Sequence, residues 1–191
     1  MNALLQAAVE IQQFLRDAGE SFCFIGGVAL QRWGEPRFTR DVDLTLLCPY
    51  GAEAAPVARL ITAFSPRIPD AQAFAQQHRV LLLHSASGIP IDVALGAIPF
   101  EERCVARATA FDMGGARLLT CCAEDLVVLK AFAARDRDWA DIESIAARQT
   151  KQLDWPLIFK EFAPLAELRE ESQATARLNV LKDKFIEINR S

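Results

Sequence analysis

Three aspartates are marked out by the residues around them. Asp41 and Asp43 open the run Asp41-Val42-Asp43-Leu44-Thr45-Leu46-Leu47, and Asp92 interrupts Ile89-Pro90-Ile91-Asp92-Val93-Ala94-Leu95, which otherwise has the composition of a core strand. Side chains alternate across a strand, so Asp41 and Asp43 share one face while Val42, Leu44 and Leu46 take the other. Two carboxylates held side by side repel, and taking both out of water is costly. A divalent cation between them relieves both penalties, because hard cations prefer carboxylate oxygen. If the strand of Asp92 runs beside that of Asp41 and Asp43, three carboxylates meet on one patch. Two cations about 3.5–4 Å apart on such a patch activate an attacking hydroxyl and neutralise a leaving pyrophosphate. The plain alternative for an Asp-x-Asp pair is a solvated strand edge. The third acid downstream and a glycine turn upstream weigh against it.

That turn is Gly26-Gly27, at the end of the short apolar strand Phe22-Cys23-Phe24-Ile25. Paired glycines let the backbone bend sharply and leave amides uncovered by any Cβ, so a phosphate can rest on the N–H groups. A short amphipathic segment, Val28 to Trp33, follows and is broken by Gly34-Glu35-Pro36. The outline is that of a nucleotide site. Thr39 either caps a turn or faces the nucleotide, and Arg40 either points to solvent or reaches a triphosphate oxygen. Lys130 interrupts the apolar run from Leu126 to Ala134. It either snorkels along that surface or aims its ammonium at phosphate. Arg135-Asp136-Arg137-Asp138, with Asp141, is a charged turn in which Asp138 or Asp141 orients Lys130 or Arg137, Asp138 being preferred. His78 and His84 show no ligand spacing.

These residues carry a resemblance. Gly26-Gly27, thirteen intervening residues, Asp41-Val42-Asp43 and later Ile91-Asp92-Val93 resemble the signature of the DNA polymerase β-type nucleotidyltransferase superfamily. The wording GGVALQRWGEPRFTRDVDL, with Thr39 two residues before the first aspartate, is similar to the AbiEii-type nucleotidyltransferases of bacterial toxin–antitoxin systems, as are Glu124 to Lys130 and Arg137 to Ile142. The likeness covers about Ser21 to Ile145. It implies an α/β fold, a mixed-sheet nucleotidyltransferase core with a helical C-terminal bundle. It also implies transfer of a nucleoside monophosphate from a nucleoside triphosphate to an acceptor hydroxyl, with release of pyrophosphate. Asp41, Asp43 and Asp92 would hold two Mg²⁺ ions, with Mn²⁺ as a substitute, and form the catalytic set. Gly26, Gly27, Thr39, Arg40, Lys130 and Asp138 would serve the nucleotide. The AbiEii likeness implies an RNA acceptor such as tRNA and a cognate antitoxin. Modification of a small hydroxylated molecule or a protein is the second enzymatic reading, and a non-catalytic nucleotide-binding module the third. One departure stands out: many superfamily members have Gly-Ser at the turn, and this chain has Gly-Gly.

The elements needed to position these groups are legible in the periodicity. Ala3 to Ala18, Ala52 to Phe64 and Ala71 to Gln77 have helical spacing, with Ser65-Pro66 and Ile68-Pro69-Asp70 as breaks. Arg79 to His84 and Ile89 to Leu95 form a hairpin, and Ala110 to Met113 with Ala116 to Leu119 form another around Gly114-Gly115. Pro99 to Ala108 begins a helix with Glu101 and Glu102 in its first turn. Beyond Thr120 the pattern is helical, over Glu124–Ala134, Asp138–Arg148, Trp155–Arg169 and Ser172–Asn189. The expected division is a core over 1–120 and a helical region over 121–191.

The 191 residues suffice for a substantial core, and a net charge of −4 argues against a surface that coats nucleic acid. Five cysteines without C-x-x-C spacing fit a reduced, cytoplasmic setting. The N-terminal stretch to Gly19 carries charges and lacks the apolar core of a signal peptide. No run approaches the length of a membrane span, so no membrane partner is expected.

Overall fold

A computed structural model of the chain describes residues 2–150, 152–169 and 172–188. The fold is mixed α/β. Among the described residues it has seven strands and nine helices, and the strands form one sheet in the order β3-β4-β5-β2-β1-β7-β6. The chain divides into two compact units. The first comprises Met1–Val28 and Phe38–Cys121, and the second Ala29–Arg37 and Cys122–Ser191.

The first unit holds the whole sheet. Its strands are β1 (Phe22–Phe24), β2 (Val42–Leu47), β3 (Ser65–Pro66), β4 (Val80–His84), β5 (Pro90–Gly96), β6 (Thr109–Asp112) and β7 (Arg117–Thr120). Its helices are α1 (Ala3–Asp17), α3 (Ala54–Ala63), α4 (Ala71–His78) and α5 (Pro99–Arg107), while α2 (Gly26–Trp33) crosses into the second unit. Strand β2 runs antiparallel to β1 and parallel to β5, and β1 runs parallel to β7. One sheet face is fully packed. Val42, Leu44, Leu46, Leu81, Leu83, Ile91 and Val93 are all sealed there against Ile11 and Leu15 of α1, Val57 and Leu60 of α3 and Ala75 of α4. Each such side chain contributes roughly 1.5–3 kcal/mol on burial. This packing fixes the register: a slip of one residue in β2 would turn Asp43 into the core and its apolar neighbours out.

The opposite face is covered in part by α5, where Phe100 and Cys104 are buried. That helix is capped by Glu101, whose carboxylate accepts from the Ala97 and Ile98 amides at 2.7 and 3.0 Å. Ser65-Pro66, expected as a break, is instead an edge strand on β4. Proline is tolerated at an edge because no ladder bond is asked of its nitrogen.

The second unit is helical: α6 (Ala123–Ala133), α7 (Asp136–Arg148), α8 (Trp155–Arg169) and α9 (Ser172–Ile188). The expected last residue of α9, Asn189, lies outside the described residues. Helix α6 ends on Ala134 in the left-handed region, its N–H bonded to the Lys130 carbonyl at 2.9 Å. Ile142, Ile145, Ile158 and Leu178 form the sealed interior. The segment Ala29–Arg37 belongs here because its backbone is tied along α7. The Glu35 amide donates to Ser144 Oγ at 3.1 Å, Gln149 Nε2 donates to the Trp33 carbonyl at 3.1 Å, and the Arg148 guanidinium donates to the Gly34 carbonyl. A Cβ on Gly34 would lie 2.6 Å from Ser144 Oγ, so only glycine permits this approach.

Among the described residues, no helix is long and apolar enough to cross a membrane.

Candidate active site

Strands β2 and β5 are parallel neighbours, and their register sets Asp43 opposite Asp92. Residues opposite one another project from the same face, and Asp41, two before Asp43, follows the same alternation. Carboxylate oxygens of Asp41, Asp43 and Asp92 all lie within 4.8 Å of one another, and all three side chains are half-buried. Three negative groups so close repel one another, and the tightly packed apolar side of the same strands holds them there.

The glycine pair opens helix α2 rather than forming a separate turn before it. Gly26 has φ +54, and a Cβ there would lie 2.1 Å from Asp43 Oδ2. Conformation and space therefore both demand glycine. The Gly27 amide donates to the same Asp43 oxygen at 3.4 Å, which ties the helix opening to the carboxylate. A Cβ on Gly27 would meet Thr39 Oγ1 at 2.1 Å. The Thr39 hydroxyl thus fills the space that a side chain at position 27 would need, and it reaches Asp41 Oδ1 at 3.4 Å. Arg40 is exposed, its guanidinium 5.8 Å from the centre of the Phe38 ring. Phe38 itself is 80% exposed.

Asp92 has a partner that sequence reasoning missed. Arg67 Nη1 donates to Asp92 Oδ1. Nothing local flags Arg67, which sits between Pro66 and Pro69 in a stretch with the composition of a break. Only the pairing of β3 with β4 brings it to the acids.

Lys130 and Asp138 lie in the second unit, within an ion cluster of their own. Lys130 is buried, its Nζ 2.6 Å from Asp141 Oδ2 and 3.6 Å from Asp138 Oδ1. Asp141, rather than the preferred Asp138, is its close partner. Arg37 grips Asp141 with two parallel bonds of 2.9 Å, the bidentate geometry in which guanidinium and carboxylate match best. Asp138 reaches back to cap its own helix, accepting from the Arg135 amide at 3.3 Å and from Arg135 Nε at 2.5 Å. Burial pushes the Asp141 carboxyl up, but the hydrogen bonds and charges of Arg37 and Lys130 outweigh it and hold it below the ordinary carboxylate range.

The donor set at Asp41, Asp43 and Asp92 is all oxygen, carried by rigid strands and bordered by a backbone cradle that any Cβ would fill. It fits a hard divalent cation.

The fold that carries this site is that of nucleotidyltransferases. An antigenic nucleotidyltransferase-like protein from Paracoccidioides brasiliensis superposes with a TM-score of 0.53 at 15% identity, over 92% of each chain. The lincosamide antibiotic adenylyltransferase LnuA, solved with lincomycin bound, superposes with a TM-score of 0.51 at 9% identity, over 74% of this chain and 96% of that one. Among curated proteins, none matches the sequence. The chain belongs to the family described as "Nucleotidyltransferase of unknown function (DUF6036)", whose pattern it matches over residues 2–191.

Proposed function

We propose that this nucleotidyltransferase moves a nucleoside monophosphate from a nucleoside triphosphate to an acceptor hydroxyl. The observation that carries the reading is the meeting of Asp41, Asp43 and Asp92, drawn from two strands far apart in sequence, beside the Gly26-Gly27 helix opening. Asp41 and Asp43 would hold divalent cations, Mg²⁺ or its substitute Mn²⁺, and Asp92 would complete the set for the second. Such ions, when bound, offset charge on the phosphate oxygens and ease deprotonation of the attacking hydroxyl. The acceptor oxygen bonds to the α-phosphorus, the bond from that phosphorus to the bridging oxygen breaks, and pyrophosphate leaves. Asp92 would help to remove the hydroxyl proton. The backbone of the Gly26-Gly27 opening and the Thr39 hydroxyl would face the phosphate oxygens, with Thr39 filling the role that Gly27 has no side chain to fill. Arg40 adds an exposed positive charge. Lys130 and Asp138 are assigned to the nucleotide on the family resemblance, Lys130 as an ammonium preset by Asp141 and Asp138.

Two acceptor classes compete. The AbiEii likeness brings RNA, with an antitoxin as protein partner. A net charge of −4 instead favours a small hydroxylated molecule over a polyanion, and LnuA is described as an antibiotic adenylyltransferase.

Each α-³²P-labelled nucleoside triphosphate, incubated with the protein, Mg²⁺ and either total RNA or a small-molecule extract, tests the reading. Label should move to one acceptor class and not do so with Asp43→Asn. Nucleotide binding without transfer to any acceptor would leave the non-catalytic module as the better account.

A further inference from the structure

Arg67 belongs to no described helix or strand, yet its side chain reaches the acid cluster. It follows the two-residue edge strand β3, and its amide donates to the Leu82 carbonyl at 2.9 Å, extending the β3–β4 ladder by one bond. Leu82 lies opposite Asp92, and Asp92 opposite Asp43. Arg67, Leu82, Asp92 and Asp43 therefore form a row across the sheet, in which facing residues project to one side. The guanidinium spans Leu82 and pairs with Asp92 Oδ1.

Neither partner is sealed from water, their side chains being 29% and 34% exposed. An ion pair so placed contributes at most about 1 kcal/mol, so Asp92 is readily surrendered to a stronger cation. A cation that draws on Asp92 as well as on Asp41 and Asp43 meets a third carboxylate with one oxygen already engaged by Arg67.

We propose that Arg67 is a positioning residue for this cluster. It holds Asp92 on the site face before cations arrive and competes for its oxygen with the cation taken up last. This rests on the metal-binding role proposed above for Asp41, Asp43 and Asp92.

Calorimetric titration of the full chain with Mn²⁺, alongside thermal melting, separates the two claims. The native protein should show one tighter and one weaker binding event. Arg67→Met should strengthen the weaker event by up to about fivefold, the scale of one displaced surface ion pair, and Arg67→Lys should fall between. In an Asp92→Asn background the same change at position 67 should do nothing. A purely structural Arg67 would lower the melting temperature and leave Mn²⁺ affinity where it was; that result, or weaker binding in a folded Arg67→Met protein, overturns the inference. If Asp41→Asn and Asp43→Asn remove Mn²⁺ binding while Arg67→Met changes nothing, only the role of Arg67 falls. If the native protein and every variant fail to bind Mn²⁺, the metal assignment falls with it.

Discussion

The molecule holds two concentrations of charge, and they are built on opposite terms. In the second unit, Asp138 and Asp141 are buried but matched by Lys130, Arg37 and Arg135, each within hydrogen-bonding or ion-pair distance of an acid. In the first, Asp41, Asp43 and Asp92 crowd within 4.8 Å while half-open to water, and Arg67 pairs with Asp92. A buried cluster must supply its own partners, because water is not there to screen it. A half-open group of carboxylates suits a cation from outside. Burial and the partners built around the acids separate the two clusters more sharply than the number of acids does.

The largest expected effect breaks the open cluster. Asp43→Asn should reduce transfer by about 10³-fold or more, since it removes a formal charge from the proposed cation ligands. Its melting temperature should stay level or rise, because repulsion is relieved. Transfer that survives in the labelling assay would undo the assignment. Added Mn²⁺ should raise the melting temperature of the native protein and not that of the variant.

Next comes the buried cluster. Asp141→Ala should destabilise by about 3 kcal/mol, because it takes from buried Lys130 its 2.6 Å partner and from Arg37 its bidentate one. Lys130→Met should cost less, about 2 kcal/mol, since Asp141 and Asp138 each retain an arginine. Urea unfolding measures both. Nucleotide affinity, measured on the folded variants, then tells whether Lys130 also serves phosphate: a loss beyond the stability effect supports that role, and unchanged affinity removes it.

A smaller effect sharpens the reading of the glycine opening. Thr39→Ala should weaken triphosphate binding about tenfold, the worth of one hydrogen bond to a charged group. Gly27→Ser alone should clash with Thr39, as a Cβ there would lie 2.1 Å from the Thr39 hydroxyl oxygen. In the double variant Gly27→Ser/Thr39→Ala the Cβ of residue 39 would still lie 2.8 Å from the new Cβ, so affinity should stay below that of Thr39→Ala alone. A double variant that binds triphosphate as the native protein does would show that this close approach does not matter.

The subtlest effect is on pH. Asp141 has a lowered folded pKa, so the unfolded chain takes up its proton first as pH drops. Its contribution is complete above the ordinary carboxylate value near about 4 and is lost as pH falls through the folded value. The stability gap between the native protein and Asp141→Asn should therefore be constant from neutral pH to about 5 and close below that. A gap that is the same at pH 3 as at pH 7 would contradict the paired state of this carboxylate.

Much of this was legible in the residue order. Alternation of Val42, Leu44 and Leu46 with Asp43 sets the acid on the outer face of its strand whatever that strand pairs with, and Gly26-Gly27 announces a backbone that a Cβ would obstruct. Both follow from local stereochemistry. Tertiary structure decided what local rules cannot reach. The in-register pairing of Asp43 with Asp92 comes from parallel strands whose partnership depends on packing against α1, α3 and α4. Arg67 arrives at Asp92 through an edge strand that its own prolines disguise, and the Thr39 hydroxyl comes to rest where Gly27 lacks a side chain. Asp141 outranks Asp138 as the partner of Lys130 because the chain before Phe38 runs along α7 and brings Arg37 to it. Periodicity places a side chain on a face; which faces and edges meet is settled by burial over the whole fold.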